Sequence, residues 1–305
     1  MLTGTETSVI EFSVYTLSSV LYNIGKHPFE RIYAMYTKSD LIRHIRALGI
    51  QPTDTVMVHT SLKSIGIIDP EDKTTAEIYI DALQEVLCEG LLLIPAHTWA
   101  TVREDGQEFN VRTSLPCIGA VPTAAVKLAA EGYDDGRRDC LRSLHPTHSV
   151  VAFGKRAEEY ILGDIQAETP APKGGSFGKL YEENAKILLV GVNQGRNTFF
   201  HAVDEYLDIP NRLMDFPIHV TVRDYEGNVF PRTLTRHSHS MSDYFMNYES
   251  YLEDCGAVSF GRIGDALVRV CDAVKCTHAI ARLWKNADHD LCEKNEVLDF
   301  EKLLK

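Results

Sequence analysis

The chain switches repeatedly between two hydrophobic periods. In LIRHIRAL, residues 41–48, apolar residues recur at helical spacing; the preceding Thr37, Lys38, Ser39 and Asp40 form a capping box, and Gly49 followed by Pro52 ends the helix. TVMVHTSL, residues 55–62, is short and β-branched and predicts a strand that empties into a polar turn at His59, Thr60 and Ser61. A turn and a long helix closed by Gly90 follow, then the apolar run LLLIPA, so that strand, helix and strand predict a βαβ-like unit. Further helices are predicted over about 120–131 and around KRAEEYI, with strands at SVVAF and KILLVGV. IHVTVRDYEGNVFPRTLT alternates apolar and polar residues on both sides of a turn and predicts a β-hairpin. The tail from Ser242 to Leu303 reads as mainly helical, with one short strand near GAVSFG.

Apolar strands separated by helices predict an α/β fold: a mostly parallel or mixed central sheet, helices on both faces, and a late antiparallel hairpin. Residues 1–36 lack a clear period and read as an N-terminal extension, with residues 37–305 as a single domain. A hydrophobic share of 44% over 305 residues supports a substantial core, and no apolar run is long enough to span a bilayer. The N-terminus carries Glu6 and Glu11 in place of the basic-then-apolar order of a secretory signal, so a cytoplasmic protein is expected. Seven cysteines without a CxxC pair read as reduced, mostly buried thiols. A formal charge of -12 disfavours a nucleic-acid partner and would attract a cationic ligand.

Ligands of such sheets bind beyond the strand ends. In this chain the strand ends carry polar clusters: HTSLKSIG, then HTW, then HPTHS, then NTFFHAVDE. His201, Asp204 and Glu205 stand at i, i+3 and i+4 on a predicted helix, which suits either a general base oriented by a carboxylate or a surface ion pair. His145 precedes Pro146, which favours an extended backbone and a fixed loop, catalytic or merely satisfied. HTSLKSIG could hold an anionic pyrophosphate or be a plain capped turn. The glycine-rich loop PKGGSFGK, residues 172–179, could approach a phosphate, and it equally suits an ordinary surface loop. No HExxH, G-x-S-x-G or phosphate-loop motif occurs, so neither a metal, a serine nucleophile nor a nucleoside triphosphate is expected.

The order HTSLKSIG, LLIPAHTW, RSLHPTHSVVAFG and LLVGVNQGRNTFFHAVDE, supported by GAVSFGRIGDALVRV, resembles the aminoglycoside 3-N-acetyltransferases from about Thr37 to the 280s. The resemblance implies the antibiotic N-acetyltransferase type of α/β fold, distinct from the common N-acetyltransferase superfamily. It implies transfer of an acetyl group from acetyl-CoA to the 3-amino group of a polycationic aminoglycoside, by direct attack in a ternary complex. A CoA-dependent acyltransferase for another amine, or a CoA- or antibiotic-binding protein without chemistry, are the alternatives. Carried over, the family motifs place CoA contacts on His59, Thr60, Ser61, Leu62, Ser64, Pro95, His97, Thr98 and Ser149, and acceptor contacts on Trp99, Thr198, Asp204 and Glu205. They make His145 or His201 the base, with Asp204 or Glu205 orienting it. His148, at a variable motif position, would be a supporting residue. This chain departs from the family pattern in carrying Asp204 where the motif has Glu, with Glu205 beside it.

Overall fold

The computed structural model describes residues 35–286 apart from 71, 210, 211, 239 and 240. Residues 1–34 of the expected extension and residues 287–303 of the expected helical tail lie outside the described residues. The strands are, in chain order, β1 (Met35–Tyr36), β2 (Thr55–Thr60), β3 (Ile67–Ile68), β4 (Leu91–Pro95), β5 (Glu108–Asn110), β6 (Cys140–Arg142), β7 (Val150–Phe153), β8 (Lys186–Val190), β9 (Ile218–Arg223), β10 (Val229–Leu234), β11 (Val258–Ile263) and β12 (Ala266–Asp272).

Local sequence starts the first two long helices as expected. Thr37 Oγ1 accepts from the Asp40 amide while the Asp40 carboxylate accepts from the Thr37 amide, opening Lys38–Ala47. Thr74 and Glu77 form the same box at the start of Thr75–Val86. That helix connects β2 to β4, which pair in parallel as a βαβ unit requires.

The main sheet has seven strands in the order β11-β12-β8-β2-β4-β7-β6. β8, β2 and β4 are parallel at its centre, and both flanks are antiparallel, which makes the sheet mixed. Alternate residues of the same strands feed two cores. Met57, Leu91, Leu93, Ile187 and Leu189 join one, beneath Phe199–Tyr206 and Ala273–Asn286. Val56, Val58, Leu92, Ile94, Leu188 and Val190 join the other, beneath Lys38–Ala47, Thr75–Val86 and Ala120–Asp134. Each fully buried aliphatic side chain contributes about 1.5–3 kcal/mol, so both helical layers are held by continuous apolar contact.

The predicted hairpin is β9–β10, and β5 adds to it in parallel to make a separate three-stranded sheet over Val102, Phe109, Val222 and Leu234. The late tail differs from the expectation: Ala266–Asp272 is a strand paired with both β11 and β8. Its buried positions alternate along Ala266, Val268 and Val270, a period of two that wins because β8 offers an open edge. Among the described residues no helix is long and apolar enough to cross a membrane.

Candidate active site

Parallel β2, β4 and β8 all end on one edge of the sheet. β7 runs antiparallel to β4 with Val150 opposite Pro95, so it is the beginning of β7 that meets this edge. The HPTHS stretch is thus the loop of the β6–β7 hairpin, closed by the Ser143 amide donating to the Val150 carbonyl at 2.8 Å. Four separate sequence clusters are brought together around one cavity of about 680 Å³.

The first wall is the end of β2. His59, Thr60 and Ser61 line the cavity, and the Ser61 amide donates to the Val190 carbonyl at 2.8 Å. His59 Nε2 lies 3.2 Å from Thr198 Oγ1, which joins the first cluster to the last. Burial pulls the His59 pKa down to about 3. Ser64 donates to Ser61 Oγ, and Leu62 packs against the core; neither lines the cavity. Gly191, in the left-handed region at φ 64°, makes this turn possible, because a Cβ there would stand 2.3 Å from Ser64 Cβ.

Pro95, His97 and Trp99 form the second wall, with Trp99 46% exposed at the mouth. Thr98 turns away and donates to the Pro146 carbonyl at 2.5 Å, fastening this loop to the HPTHS loop. Behind both sits Arg142, fully buried. Its guanidinium donates to Ser149 Oγ and to the carbonyls of Val111, Ser114 and Ala96, and burial draws its pKa down to about 9. Ser149 in turn donates to the Ala96 carbonyl, so this predicted cofactor contact is occupied within the scaffold. Nothing in local sequence marked Arg142 as the knot; only the arrival of Ala96, the 111–114 segment and Ser149 around it does.

The histidines divide differently from the expectation. His145 does not line the cavity: its Nδ1 accepts from the amides of Thr147 and His148, and its Nε2 donates to the Thr169 carbonyl at 2.9 Å. Two amide donors on Nδ1 place the ring proton on Nε2. His148, by contrast, lines the cavity with Nδ1 2.9 Å from Thr147 Oγ1. His201 lines it as well and stacks on His237, with ring centroids 3.6 Å apart. Burial takes the His201 pKa to about 3, and holds His97, His148 and His237 well below the ordinary range, with neighbouring histidines adding to the effect. Both ring nitrogens of His97 and His237, and Nδ1 of His201, have no hydrogen-bond partner among the described residues.

The two carboxylates of Phe199–Tyr206 are not among the described lining residues of the cavity. Glu205 accepts from Thr169 Oγ1 at 2.5 Å and from the Ala171 amide at 2.8 Å, thereby holding the loop whose carbonyl receives His145. Asp204 is 2% exposed, and burial pushes its carboxyl well above the usual range, with Glu205 adding to the rise and Arg212 opposing it. The i, i+3 spacing of His201 and Asp204 therefore yields no hydrogen bond: His201 Nδ1 and Asp204 Oδ2 are each unpartnered among the described residues. Among the described residues three arginines line the cavity, Arg103, Arg196 and Arg236, and no aspartate or glutamate does. Sequence reading missed Arg236 and His237, since RHSHS has no period and matters only through its stack on His201. Among the described residues, no group of three or more His, Cys, Asp or Glu is disposed to hold a metal ion.

Comparison with known proteins places this edge in context. The chain is 28% identical over 191 residues to the SPbeta prophage-derived aminoglycoside N(3')-acetyltransferase-like protein YokD of Bacillus subtilis (strain 168), covering 58% of this chain and 68% of that one. It is 25% identical over 238 residues to aminoglycoside N(3)-acetyltransferase IV of Salmonella sp, covering 77% and 82%. The solved structure of AAC-IIIb, binary with CoASH, shares the fold at a TM-score of 0.68 and 22% identity over 83% of this chain and 97% of that one. The family model for aminoglycoside 3-N-acetyltransferase matches residues 57–285. Because that match takes in all four clusters at the sheet edge, the chain belongs to the aminoglycoside 3-N-acetyltransferase family of acyltransferases.

Proposed function

We propose that this protein transfers the acetyl group of acetyl-CoA to a primary amine of an aminosugar, with His201 as general base. Family membership supports aminoglycoside 3-N-acetyltransferase activity, and the CoA complex of a structural neighbour supports CoA as the carrier. The observation that carries the reading is the convergence of the His59–Ser61 turn, the 95–99 loop and His201 on one cavity of about 680 Å³.

The step needs little apparatus. The amine nitrogen attacks the thioester carbon, the C–N bond forms, the C–S bond breaks, and the sulfur leaves with the electron pair. The amine proton passes to His201 and on to the departing thiolate. His201 suits the role because it lines the cavity and its Nδ1 has no partner among the described residues, whereas both nitrogens of His145 are engaged in the scaffold. Cys117, also on the cavity, donates to the His97 carbonyl, and partial desolvation raises its thiol pKa, which favours direct transfer over a covalent cysteine intermediate. Asp204 and Glu205 shape the helix and the 169–171 loop, acting on His201 only through position. Acetyl-CoA is supplied in the cytoplasm, and we place the enzyme there.

Following free thiol on incubation with acetyl-CoA and a panel of amines tests the reading. Acceptor-dependent thiol release that collapses in His201→Ala and persists in His145→Asn is expected. Absence of release with every amine, despite measured CoA binding, would overturn it.

A further inference from the structure

A polycation binds where carboxylates are. The described lining of this cavity has none, and the two that sequence placed beside the acceptor are not part of it: Glu205 is hydrogen-bonded to Thr169 and Ala171, and Asp204 is 2% exposed. The acidity that gives the chain its formal charge of -12 is therefore not gathered at the described walls of the site. Those walls instead carry Arg103, Arg196 and Arg236.

Coenzyme A carries phosphates and will engage some of these cations, but its pantetheine arm holds the phosphates far from the thioester. Arg236 lines the cavity together with His201 and His237. It directly precedes His237, which stacks on His201 at 3.6 Å, so its backbone is anchored where the chemistry occurs. Met214 donates to the Arg236 carbonyl at 2.9 Å, and Leu213 bridges His237, which fixes the segment against the chain leaving the helix Phe199–Tyr206. The Arg236 Nε is buried without a hydrogen-bond partner among the described residues, a costly state for a guanidinium unless a ligand completes it.

We propose that the acceptor is an amine that also bears an anion, a phosphate or a carboxylate, held by Arg236 beside His201, and that such acceptors are preferred to polycationic ones. This rests on the acetyl-transfer reading and narrows its substrate class. The acceptor's anion supplies the negative charge that no carboxylate of the lining provides, and near the histidines it favours the protonated imidazole that forms as the amine is consumed. A guanidinium is suited to both anions, since its fork matches phosphate and carboxylate oxygens alike.

The test compares acceptors of one skeleton: glucosamine, glucosamine 6-phosphate and glucosaminic acid, with the polycation tobramycin, each with acetyl-CoA and thiol detection. The two anionic amines should be turned over with kcat/KM at least about tenfold above glucosamine, the value of one charge-assisted hydrogen bond, and above tobramycin. Which of the two leads separates phosphate from carboxylate. Arg236→Ala should raise the KM for the anionic acceptors about tenfold or more while leaving the KM for acetyl-CoA unchanged, and Arg236→Lys should restore part of the loss. Tobramycin as the best acceptor, or a raised KM for acetyl-CoA in Arg236→Ala, would overturn the inference and leave acetyl transfer standing. If no amine is acetylated, the acetyl-transfer reading fails separately, and calorimetry on the CoA-bound protein decides the inference. Tighter binding of glucosamine 6-phosphate or glucosaminic acid than of glucosamine supports it, and equal binding of all three ends it.

Discussion

Arg142 and His97 meet at Ala96, whose carbonyl receives one of the arginine's bonds and whose neighbour in sequence is the histidine. Both side chains are buried, and their hydrogen bonding is opposite. Arg142 donates to Ser149 and to the carbonyls of Val111, Ser114 and Ala96, whereas neither nitrogen of His97 has a partner among the described residues. A buried polar group that is satisfied ties the fold together; one left unsatisfied weakens the fold and persists where a ligand completes it. The same division separates His145 from His201. The difference teaches that burial and residue type do not separate Arg142 and His145 from His97, His201 and His237, and that hydrogen bonding does.

The largest effect that can break this division is on turnover. His201→Ala should lower the acetylation rate about 10²–10⁴-fold, as loss of a general base does, while the urea midpoint stays level or rises because an unpartnered polar group has left the interior. A variant that keeps its rate, or that loses its fold, would merge the two classes. Next comes Arg142→Met, which leaves several carbonyls buried and unpaired and should lower the stability by about 3 kcal/mol or more in urea unfolding. An unchanged midpoint there would show that the knot is dispensable.

His145→Ala should cost about 1–3 kcal/mol, since the amides of Thr147 and His148 lose their acceptor. His145→Asn, which retains an acceptor oxygen, should recover part of it, and turnover per folded molecule should fall far less than in His201→Ala. Denaturation and thiol release on the same samples compare the two histidines directly.

Acid sharpens the contrast further. His59 and His201 have folded-state pKa values near 3, below the ordinary 6.5, so the unfolded chain takes up protons first. Proton uptake by the unfolded chain leaves stability unchanged above about pH 6.5 and lowers it as the pH falls toward 3, at about 1.4 kcal/mol per pH unit for each histidine. Urea midpoints between pH 7 and pH 5 should fall less steeply in His201→Leu than in the parent chain; identical slopes would show that His201 is not held neutral by the fold.

Much of the frame was legible in one dimension. Thr37 with Asp40 and Thr74 with Glu77 act within three residues, so a helix start needs no tertiary help. The strands at 55–60, 91–95, 150–153 and 186–190 announced themselves as short apolar runs. Other elements did not. Ala266–Asp272 is indistinguishable from a helical stretch until β8 is present to pair with it. Arg142 belongs to a quoted motif, yet its role depends on carbonyls at Val111 and Ser114 that local sequence cannot bring to it. His237 and Arg236 lie in a segment without a period, and only the stack on His201 reveals their place.

What the sequence determined alone was therefore the set of elements and the polar clusters at their ends, because caps, periods and turns are short-range. Tertiary structure decided which of those polar groups face one another. The antiparallel direction of β7 delivers the HPTHS loop to the edge where β2, β4 and β8 finish. Long-range hydrogen bonds then use up His145, Ser149 and Glu205 in holding the walls, and leave His201, His237 and Arg236 for the cavity. A side chain's partners are set by where distant segments arrive, and that information is not carried by its neighbours in the chain.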